Sequence, residues 1–433
     1  MVNEITKIIA EEIKDSRGNP TIKVTVFVGD KSAYFSVPSG ASTGSNEAHE
    51  LRDPEPEQAR HGAGSDGKGS MKKAIWNIEN IISPALLGMD IFNQKEIDRT
   101  LLKLDGTKNK TNLGGNSMIG VSIACAKAAA KVLEIEVYKH LRTLSEIKPS
   151  LRLGSGQARK VPHLYMNLIN GGKHVHQQGS EQAKSALAFQ EYHIVTDIDD
   201  AEEAWQAGVK VQNTLKEIIL EELGEDSLVL GDEGGFAPKL EDVRKPLLYL
   251  KEAVKRNNLE GKIRLALDVA SSSFYKEGVY ELAGKDIGEK ELFGIYSGLI
   301  KEFDLLSIED PFDEKDFDSF RSLKEEERDI FVVGDDLTVT NKVLLEKAIE
   351  NDSINAMIIK PNQIGTLSET LETMRIAREN NIELIVSHRS GETDDDFIAD
   401  LAYAFSCFGL KAGAPEKPER KVKYDRLIEI TSS

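Results

Sequence analysis

The chain has 433 residues, of which 40% are hydrophobic, and its formal net charge at pH 7 is −18. A chain of this length exceeds the size at which a single hydrophobic core usually stops growing, so we expect two domains. The acidic surface would repel phosphate-rich surfaces, which argues against nucleic acid or an acidic membrane as a partner.

Cysteine usage and hydropathy favour a cytoplasmic location. The two cysteines, Cys125 and Cys407, lie far apart in the sequence and provide no disulfide framework. No segment approaches the ~18 consecutive apolar residues of a membrane-spanning helix. The N-terminus also lacks the basic stretch and apolar run of a signal peptide. We therefore expect a cytoplasmic protein without a membrane span.

The N-terminal third of the chain predicts an α+β domain. Residues 1–36 alternate in the manner of a β-hairpin, and residues 37–44 are small and glycine-rich, as in a mobile loop that approaches a ligand. Residues 70–141 have helical periodicity. Strands followed by helices indicate an α+β domain, which we assign to residues 1–144, with Ser42 on its mobile loop.

Residues 145–160 contain Pro, Gly, Ser and positive charge without periodicity, and they form the best candidate linker. Beyond them, residues 161–433 are predicted to form a catalytic (β/α)8 barrel of the TIM type. Its candidate strands include residues 163–169, 188–195, 227–230 and 408–411.

Five further apolar runs carry the barrel prediction because each stops at a charged residue, at nearly regular intervals. A buried parallel strand is continuously hydrophobic and can expose a charge only where its carboxyl end meets solvent. In a (β/α)8 barrel these ends converge on one active site. The runs stop at Asp268, Glu309, Asp335, Lys360 and His388-Arg389.

Three of these strand ends predict a metal site. Asp268, Glu309 and Asp335 would repel one another at one barrel mouth unless a hard divalent cation neutralised them, and Mg²⁺ suits oxygen ligands. A single strand-end Asp is more often a helix cap or a salt-bridge partner. Three strand-end acids in successive βα units favour a metal site over three separate helix caps or salt bridges.

Two lysines follow apolar runs in the same way. Lys360 precedes residues 361–365, and Lys411 ends the run at 408–411. Alone, either lysine would more often reach solvent or neutralise a carboxylate. Together, beside a dication, we expect the two ammonium groups to depress each other's pKa, so that one can act as a base while the other holds an anion.

Other polar residues indicate a general acid and a phosphate site. Glu233 stands among glycines, where the alternative is a tight turn with a solvated acid. Gln190 and Glu191 interrupt an apolar strand, which indicates either paired carboxylates or a structural ion pair. Arg389 and Ser390 offer a fork of donors and a hydroxyl suited to phosphate.

Taken in order, several motifs resemble those of the enolase family, whose members are phosphopyruvate hydratases. The likeness runs over nearly the whole chain, and the motifs are highly specific together although each is weak alone. They occupy residues 39–44, 231–238, 308–311, 334–337, 362–365 and 387–393. The resemblance implies an N-terminal α+β domain, a modified barrel of order ββαα(βα)6, and a homodimer.

The resemblance also implies roles for individual residues in converting 2-phosphoglycerate to phosphoenolpyruvate. Lys360 would remove the C2 proton and Glu233 would protonate the departing C3 hydroxyl, with Glu191 assisting Glu233 and His388 beside it. Two Mg²⁺ ions are implied, the second bound with substrate. Asp268, Glu309 and Asp335 would hold the first ion and Ser42 the second. The implied substrate contacts are Arg389 and Ser390 to phosphate, Lys411 to carboxylate, His174 closing over the site, and Gln190, Glu191, Glu309, Asp335 and Lys360.

The chain departs from the family pattern after Gly172. The stretch from His174 to Ser185 is polar and longer than the family's substrate-closing loop, which indicates an insertion and makes His176 an alternative to His174. Two other functions were weighed: an enolase-like enzyme acting on another carboxylate substrate, and a non-catalytic binding protein. The Arg389-Ser390 pair argues against the first, and the retained Glu233, Lys360 and metal acids argue against the second.

Overall fold

A three-stranded antiparallel sheet opens the fold. The computed structural model describes residues 3–40, 44–54, 69–148, 161–172 and 187–432. Strands β1 (Lys7–Lys14), β2 (Pro20–Val28) and β3 (Lys31–Ser36) lie in the order β1-β2-β3. The hairpin predicted for this region is confirmed, because its alternating side chains bury Val24 and Val26 on one face.

Helices cover that face of the sheet. The longest, Gly115–Leu133, packs closely because it is rich in small residues, and a Cβ added at Gly120 would come within 2.7 Å of Val24 Cγ2. The α+β pattern predicted here is confirmed. The helices are α1 (Lys72–Asn77), continued by a π-helical turn (Ile78–Ile82), α2 (Ser83–Leu86), α3 (Gln94–Asp105), α4 (Gly115–Leu133) and α5 (Val137–Leu144).

Eight strands close into a barrel in the rest of the chain. They are β4 (His163–Asn170), β5 (Glu191–Thr196), β6 (Ile263–Asp268), β10 (Ser307–Glu309), β11 (Phe331–Gly334), β12 (Ala356–Ile359), β13 (Glu383–Ser387) and β14 (Gly409–Lys411). Their order around the barrel is β10-β11-β12-β13-β14-β4-β5-β6. Strand β5 runs antiparallel to both of its neighbours, and the other pairs are parallel.

Helices surround the barrel and give it the ββαα(βα)6 order. A small sheet of β7 (Tyr275–Lys276), β8 (Val279–Leu282) and β9 (Lys285–Ile287) is inserted after β6. The helices are α6 (Ala201–Leu223), α7 (Lys245–Arg256), α8 (Glu289–Phe303), α9 (Phe317–Glu326), α10 (Lys342–Glu350), α11 (Pro361–Ile364), α12 (Leu367–Glu379), α13 (Phe397–Ala404) and α14 (Pro418–Thr431).

One predicted strand is wrong. Residues 227–230 do not join the barrel, because β5 pairs directly with β6 and leaves no position between them. A 3₁₀ turn (Glu225–Ser227) precedes the run, and Leu230 forms only an isolated bridge with Phe236 across a glycine-rich turn. The apolar run therefore leads into a loop over the barrel mouth.

Buried polar contacts join the N-terminal helices to the barrel. The Asp98 carboxylate of α3 accepts hydrogen bonds from Ser368 N at 2.9 Å and from Ser122 Oγ at 2.6 Å. The boundaries 1–144, 145–160 and 161–433 stay a prediction. Within the residues described, no helix is long and apolar enough to cross a membrane. Cys125 and Cys407 are both buried and free.

Candidate active site

Charged side chains from successive strand ends meet at the barrel mouth, as the sequence pattern predicts. Asp268 and Glu309 are paired residues at the ends of β6 and β10. Asp335 and Lys360 immediately follow β11 and β12, and Lys411 is the last residue of β14. We call these five residues the strand-end cluster.

Lys411 is the centre of the strand-end cluster. Its ammonium lies 2.8 Å from Asp268 Oδ2, 2.8 Å from Glu309 Oε2 and 3.2 Å from Glu191 Oε2. Burial alone would lower the pKa of Lys411, but Asp268, Glu191 and Glu309 together raise it well above its ordinary value. The pKa of Glu309 is also raised, by burial and then by Asp268. One ammonium therefore does not balance the surrounding carboxylates.

Lys360 forms a short ion pair with Asp335 Oδ2, and Gln363 Nε2 donates to Asp335 Oδ1 at 3.0 Å. Burial would lower the pKa of Lys360, but Asp335 outweighs burial and raises it. Lys411 lowers the pKa of Lys360, in the expected direction, but without a dication this effect is smaller than that of Asp335. The depression expected beside a dication stays a prediction. Each ammonium lies against carboxylates, whose attraction exceeds the repulsion between the two cations.

The strand-end cluster fits a hard divalent cation by its donor set. Its three acids are buried, and Glu309 Oε1 is a buried oxygen without a hydrogen-bond partner among the described residues. Such an oxygen is costly to bury unless a cation takes it up. The fit therefore rests on an unbalanced charge and an unsatisfied ligand atom.

A second set of acids lies beside the strand-end cluster. Ligand atoms of Asp310, Asp335 and Asp336 lie within 4.8 Å of one another. The Asp310 carboxylate, however, already accepts backbone N–H groups from Asp335 at 2.9 Å and Asp336 at 2.7 Å. We interpret Asp310, which the sequence reasoning missed, as the residue that holds the turn after β11.

A second group, the loop cluster, faces the strand-end cluster and consists of Glu233, His388, Arg389 and Ser390. Glu233 is buried, and Asn167 Nδ2 donates to its Oε2 at 3.1 Å. His388 Nε2 lies 3.2 Å from the same oxygen, so the expected proximity of His388 to Glu233 is confirmed. Burial lowers the pKa of His388, which favours the neutral imidazole.

Gln190 and Glu191 lie where β5 begins, and both are buried. Glu191 Oε2 contacts His193 Nε2 at 2.8 Å as well as Lys411. All members of the two clusters except Glu309 line one small cavity of about 20 Å³. Its lining includes Gln190, Glu191, Glu233, Asp268, Asp335, Lys360, His388, Arg389, Ser390 and Lys411.

Glu47 holds Arg389 at the edge of this cavity. Arg389 Nη2 lies 3.0 Å from Glu47 Oε2, and Arg389 Nη1 donates to Asn362 Oδ1 at 2.9 Å. Gly44 N also donates to Glu47 Oε1, at 3.0 Å. Glu47 was not predicted from the sequence, where its signal is a charge three residues after the glycine-rich loop.

Two predicted site residues lie outside the described residues. Ser42 falls in the gap 41–43, and His174, with its alternative His176, falls in the gap 173–186. Their roles stay predictions.

Comparison with known proteins identifies two adjoining family regions. Residues 5–141 match the family described as "Enolase, N-terminal domain", and residues 158–433 match "Enolase, C-terminal TIM barrel domain". Together these matches cover well over half of the chain.

Curated proteins named Enolase are similar over nearly the full length. The protein of Methanocaldococcus jannaschii is 44% identical over 429 residues, covering 99% of this chain and 95% of its own. That of Methanopyrus kandleri is 43% identical, covering 98% and 95%. The protein of Nitratiruptor sp. is 42% identical, covering 98% and 96%.

Proposed function

The chain belongs to the enolase family, and from that premise we propose how its own residues share the reaction. The chain is a phosphopyruvate hydratase, a carbon–oxygen lyase that reversibly dehydrates 2-phosphoglycerate to phosphoenolpyruvate in glycolysis. The observation that carries the assignment of roles is the position of the candidate base, Lys360, and the candidate acid, Glu233, on the lining of one cavity.

Lys360 takes the proton from C2 of 2-phosphoglycerate as a neutral amine. A divalent cation held by Asp335 would favour that form, because it would neutralise the carboxylate that raises the pKa of Lys360 in the metal-free protein. Lys360 is a partly buried amine at the barrel mouth, where a substrate carbon can be brought within reach of Nζ. Lys411 holds the substrate carboxylate. Its present ion-pair partners, Asp268 and Glu309, would then no longer occupy the ammonium group. Glu309 and Asp335 contact the substrate from the same side.

Glu233 protonates the hydroxyl that leaves C3. A carboxylic acid can donate that proton only if its side chain is held toward the leaving group. The hydrogen bond from Asn167 and the imidazole of His388 support this placement. Glu191 and Gln190 assist from the start of β5.

The family implies a divalent cation, and Asp268, Glu309 and Asp335 are the residues that would hold it. When bound, the cation supplies positive charge that stabilises the negative charge developing on the substrate carboxylate. We propose Mg²⁺ as that cation because all three ligands are hard carboxylate oxygens. A second Mg²⁺, bound with substrate, would use Ser42.

Arg389 and Ser390 hold the phosphate group, for which a guanidinium fork is the suited donor. His174 closes over the bound substrate. The substrate is a small molecule, and a homodimer in the cytoplasm is the assembly and location that family membership supports. No nucleic acid or membrane takes part in this proposal.

The test follows phosphoenolpyruvate formation by its ultraviolet absorbance after 2-phosphoglycerate is added to the purified chain. We expect activity that disappears when divalent cations are chelated and returns with Mg²⁺. Other 3-hydroxy acids, with and without a phosphate on C2, serve as competing substrates. Faster turnover of another carboxylate would contradict the substrate, and a metal-loaded protein with no lyase activity would contradict the function.

A further inference from the structure

Arg420 is a charged side chain with no exposure at all, although it lies on the C-terminal helix α14, outside the motifs that indicate the active site. A buried guanidinium is costly unless its N–H groups are taken up by acceptors. The role of Arg420 therefore depends on which acceptors its N–H groups contact.

Four acceptors from two active-site loops surround the Arg420 guanidinium. Its Nη1 donates to His388 Nδ1 at 2.5 Å and to Arg389 O at 2.6 Å. Its Nη2 donates to Ser390 O at 2.7 Å and to Asp232 O at 3.2 Å. One side chain thus joins the loop that carries Glu233 to the loop that carries His388.

The contact with His388 fixes the position of the imidazole proton. A guanidinium has only donors, so His388 Nδ1 must be the acceptor in this hydrogen bond. A neutral imidazole that accepts at Nδ1 carries its proton on Nε2. That nitrogen lies 3.2 Å from Glu233 Oε2, close enough for an ion pair, although the angle is not that of a hydrogen bond.

We propose that Arg420 is a positioning residue that holds His388 as the neutral Nε2–H tautomer and thereby presents an N–H donor to Glu233. The opposite tautomer would direct a lone pair at Glu233 and an N–H at the guanidinium. An imidazolium would place two cations in contact. The inference rests on the proposed function in one respect, namely that Glu233 is the acid.

Packing around the pair leaves the imidazole little freedom to turn. Gly413 has φ +83°, and a Cβ added there would come within 3.0 Å of His388 Cε1 and 3.1 Å of Arg420 Cδ. The backbone N of Ala414 donates to Glu233 O at 3.0 Å. The loop after β14 therefore packs against the imidazole ring.

Helix α14 offers a matched control in Lys423, a second buried cation one turn further on. Lys423 Nζ lies 2.8 Å from Glu392 Oε2 and donates to Thr393 O at 2.6 Å. It supports the same loop as Arg420, but within the described part of the chain it forms no hydrogen bond or ion pair with His388. Replacing Lys423 therefore tests the effect of lost loop support while the contact that sets the His388 tautomer stays in place.

The direct test is the ¹⁵N spectrum of the histidine side chains in the full chain, recorded without substrate or divalent cation. The His388 signals are assigned by their loss in His388→Gln. We expect a protonated Nε2 and an unprotonated, hydrogen-bonded Nδ1 in the wild type. A wild-type His388 with its proton on Nδ1 would overturn the proposal, whether or not any variant folds.

The variants separate positioning from folding support. In Arg420→Met we expect a mixture of His388 tautomers and a kcat lower by about 10²-fold, the scale of general acid–base catalysis, with a smaller change in KM. Arg420→Lys, which keeps a donor and a charge, should retain the tautomer and recover kcat at least about tenfold over Arg420→Met. Lys423→Met should keep the wild-type tautomer.

An unchanged tautomer in Arg420→Met, or a lost one in Lys423→Met, would contradict the role given to Arg420. If Arg420→Met fails to fold, Arg420→Lys provides the test instead. A His388 proton on Nδ1 in that variant would likewise contradict the role given to Arg420. Because the spectrum is recorded without substrate, it distinguishes a wrong tautomer from a wrong assignment of the reaction, which the phosphoenolpyruvate assay reads separately.

Discussion

The two halves of the active site are built in different ways. Every member of the strand-end cluster stands at or directly after the end of a barrel strand, so closure of the barrel alone brings the five together. In the loop cluster, His388 and Arg389 also follow a barrel strand, β13, but side chains from elsewhere hold them in addition: Arg420 on α14, and Glu47 beyond the first glycine-rich loop. Barrel closure is enough to bring the first cluster together, whereas the second also depends on individual hydrogen bonds from residues distant in sequence.

This difference predicts different responses to mutation. Residues of the strand-end cluster keep their backbone position when a side chain is removed, so their loss should affect chemistry and charge balance. Residues that support the loop cluster should change kinetic constants by displacing a neighbour. The predictions below run from the largest expected effect to the smallest.

Lys360→Ala should reduce kcat by about 10³-fold or more, because no other amine takes the position of the base. Steady-state formation of phosphoenolpyruvate measures this loss. Lys290→Ala, on the exposed face of α8, is the matched control and should leave kcat unchanged. Retention of a tenth of the activity in Lys360→Ala would show that another group accepts the proton.

Lys411→Met should destabilise the metal-free protein by about 3–5 kcal/mol, because it leaves Asp268, Glu309 and Glu191 without their shared ammonium. Denaturant unfolding measures the change. Added Mg²⁺ should stabilise the variant more than the wild type, since the cation then supplies the missing charge. Equal stabilisation of both proteins would contradict the charge imbalance described here.

Glu47→Gln should raise the KM for 2-phosphoglycerate about tenfold while kcat changes less than about threefold, because Arg389 loses the anion that orients its fork. The matched control is Glu50→Gln, which removes a neighbouring carboxylate that pairs with Arg52 instead. Its KM should stay within about twofold of the wild type. An effect confined to kcat would show that Glu47 does not act through phosphate binding.

The buried neutral His388 makes the stability of the fold depend on pH. Its pKa is lowered from the ordinary 6.5, so below that pH the unfolded chain binds a proton that the folded chain does not. The free energy of unfolding should therefore fall as pH drops below about 6.5. His388→Gln should lose less stability over the same interval, as measured by denaturant unfolding at a series of pH values. An identical slope in the two proteins would show that His388 is not buried in its neutral form.

The same contrast explains what the sequence could predict. Apolar runs ending at Asp268, Glu309, Asp335 and Lys360 report both the strand and the position of its charge, so barrel and cluster were predictable together. The strand predicted at residues 227–230 is wrong because this apolar run has the composition of a strand but precedes a glycine-rich turn. Local composition does not tell whether a neighbouring strand is free to pair.

Arg420 and Glu47 were not predictable because their importance lies in contacts distant in sequence. Arg420 stands 32 residues from His388, its imidazole partner, on a helix with ordinary polar composition. Nothing in its local pattern distinguishes it from a surface arginine. The net rise in the pKa values of Lys360 and Lys411 was not predictable for a related reason. The sequence places cations near acids without giving the distances that decide which interaction dominates.

The most direct test of the two-part site is the exchange of the C2 proton of 2-phosphoglycerate with deuterated water, followed by proton NMR in the presence of Mg²⁺. Removal of that proton needs the strand-end cluster, whereas loss of the C3 hydroxyl also needs Glu233. The account predicts that Glu233→Gln exchanges the C2 proton but forms almost no phosphoenolpyruvate, and that Lys360→Ala does neither. Exchange at the wild-type rate in Lys360→Ala would contradict it.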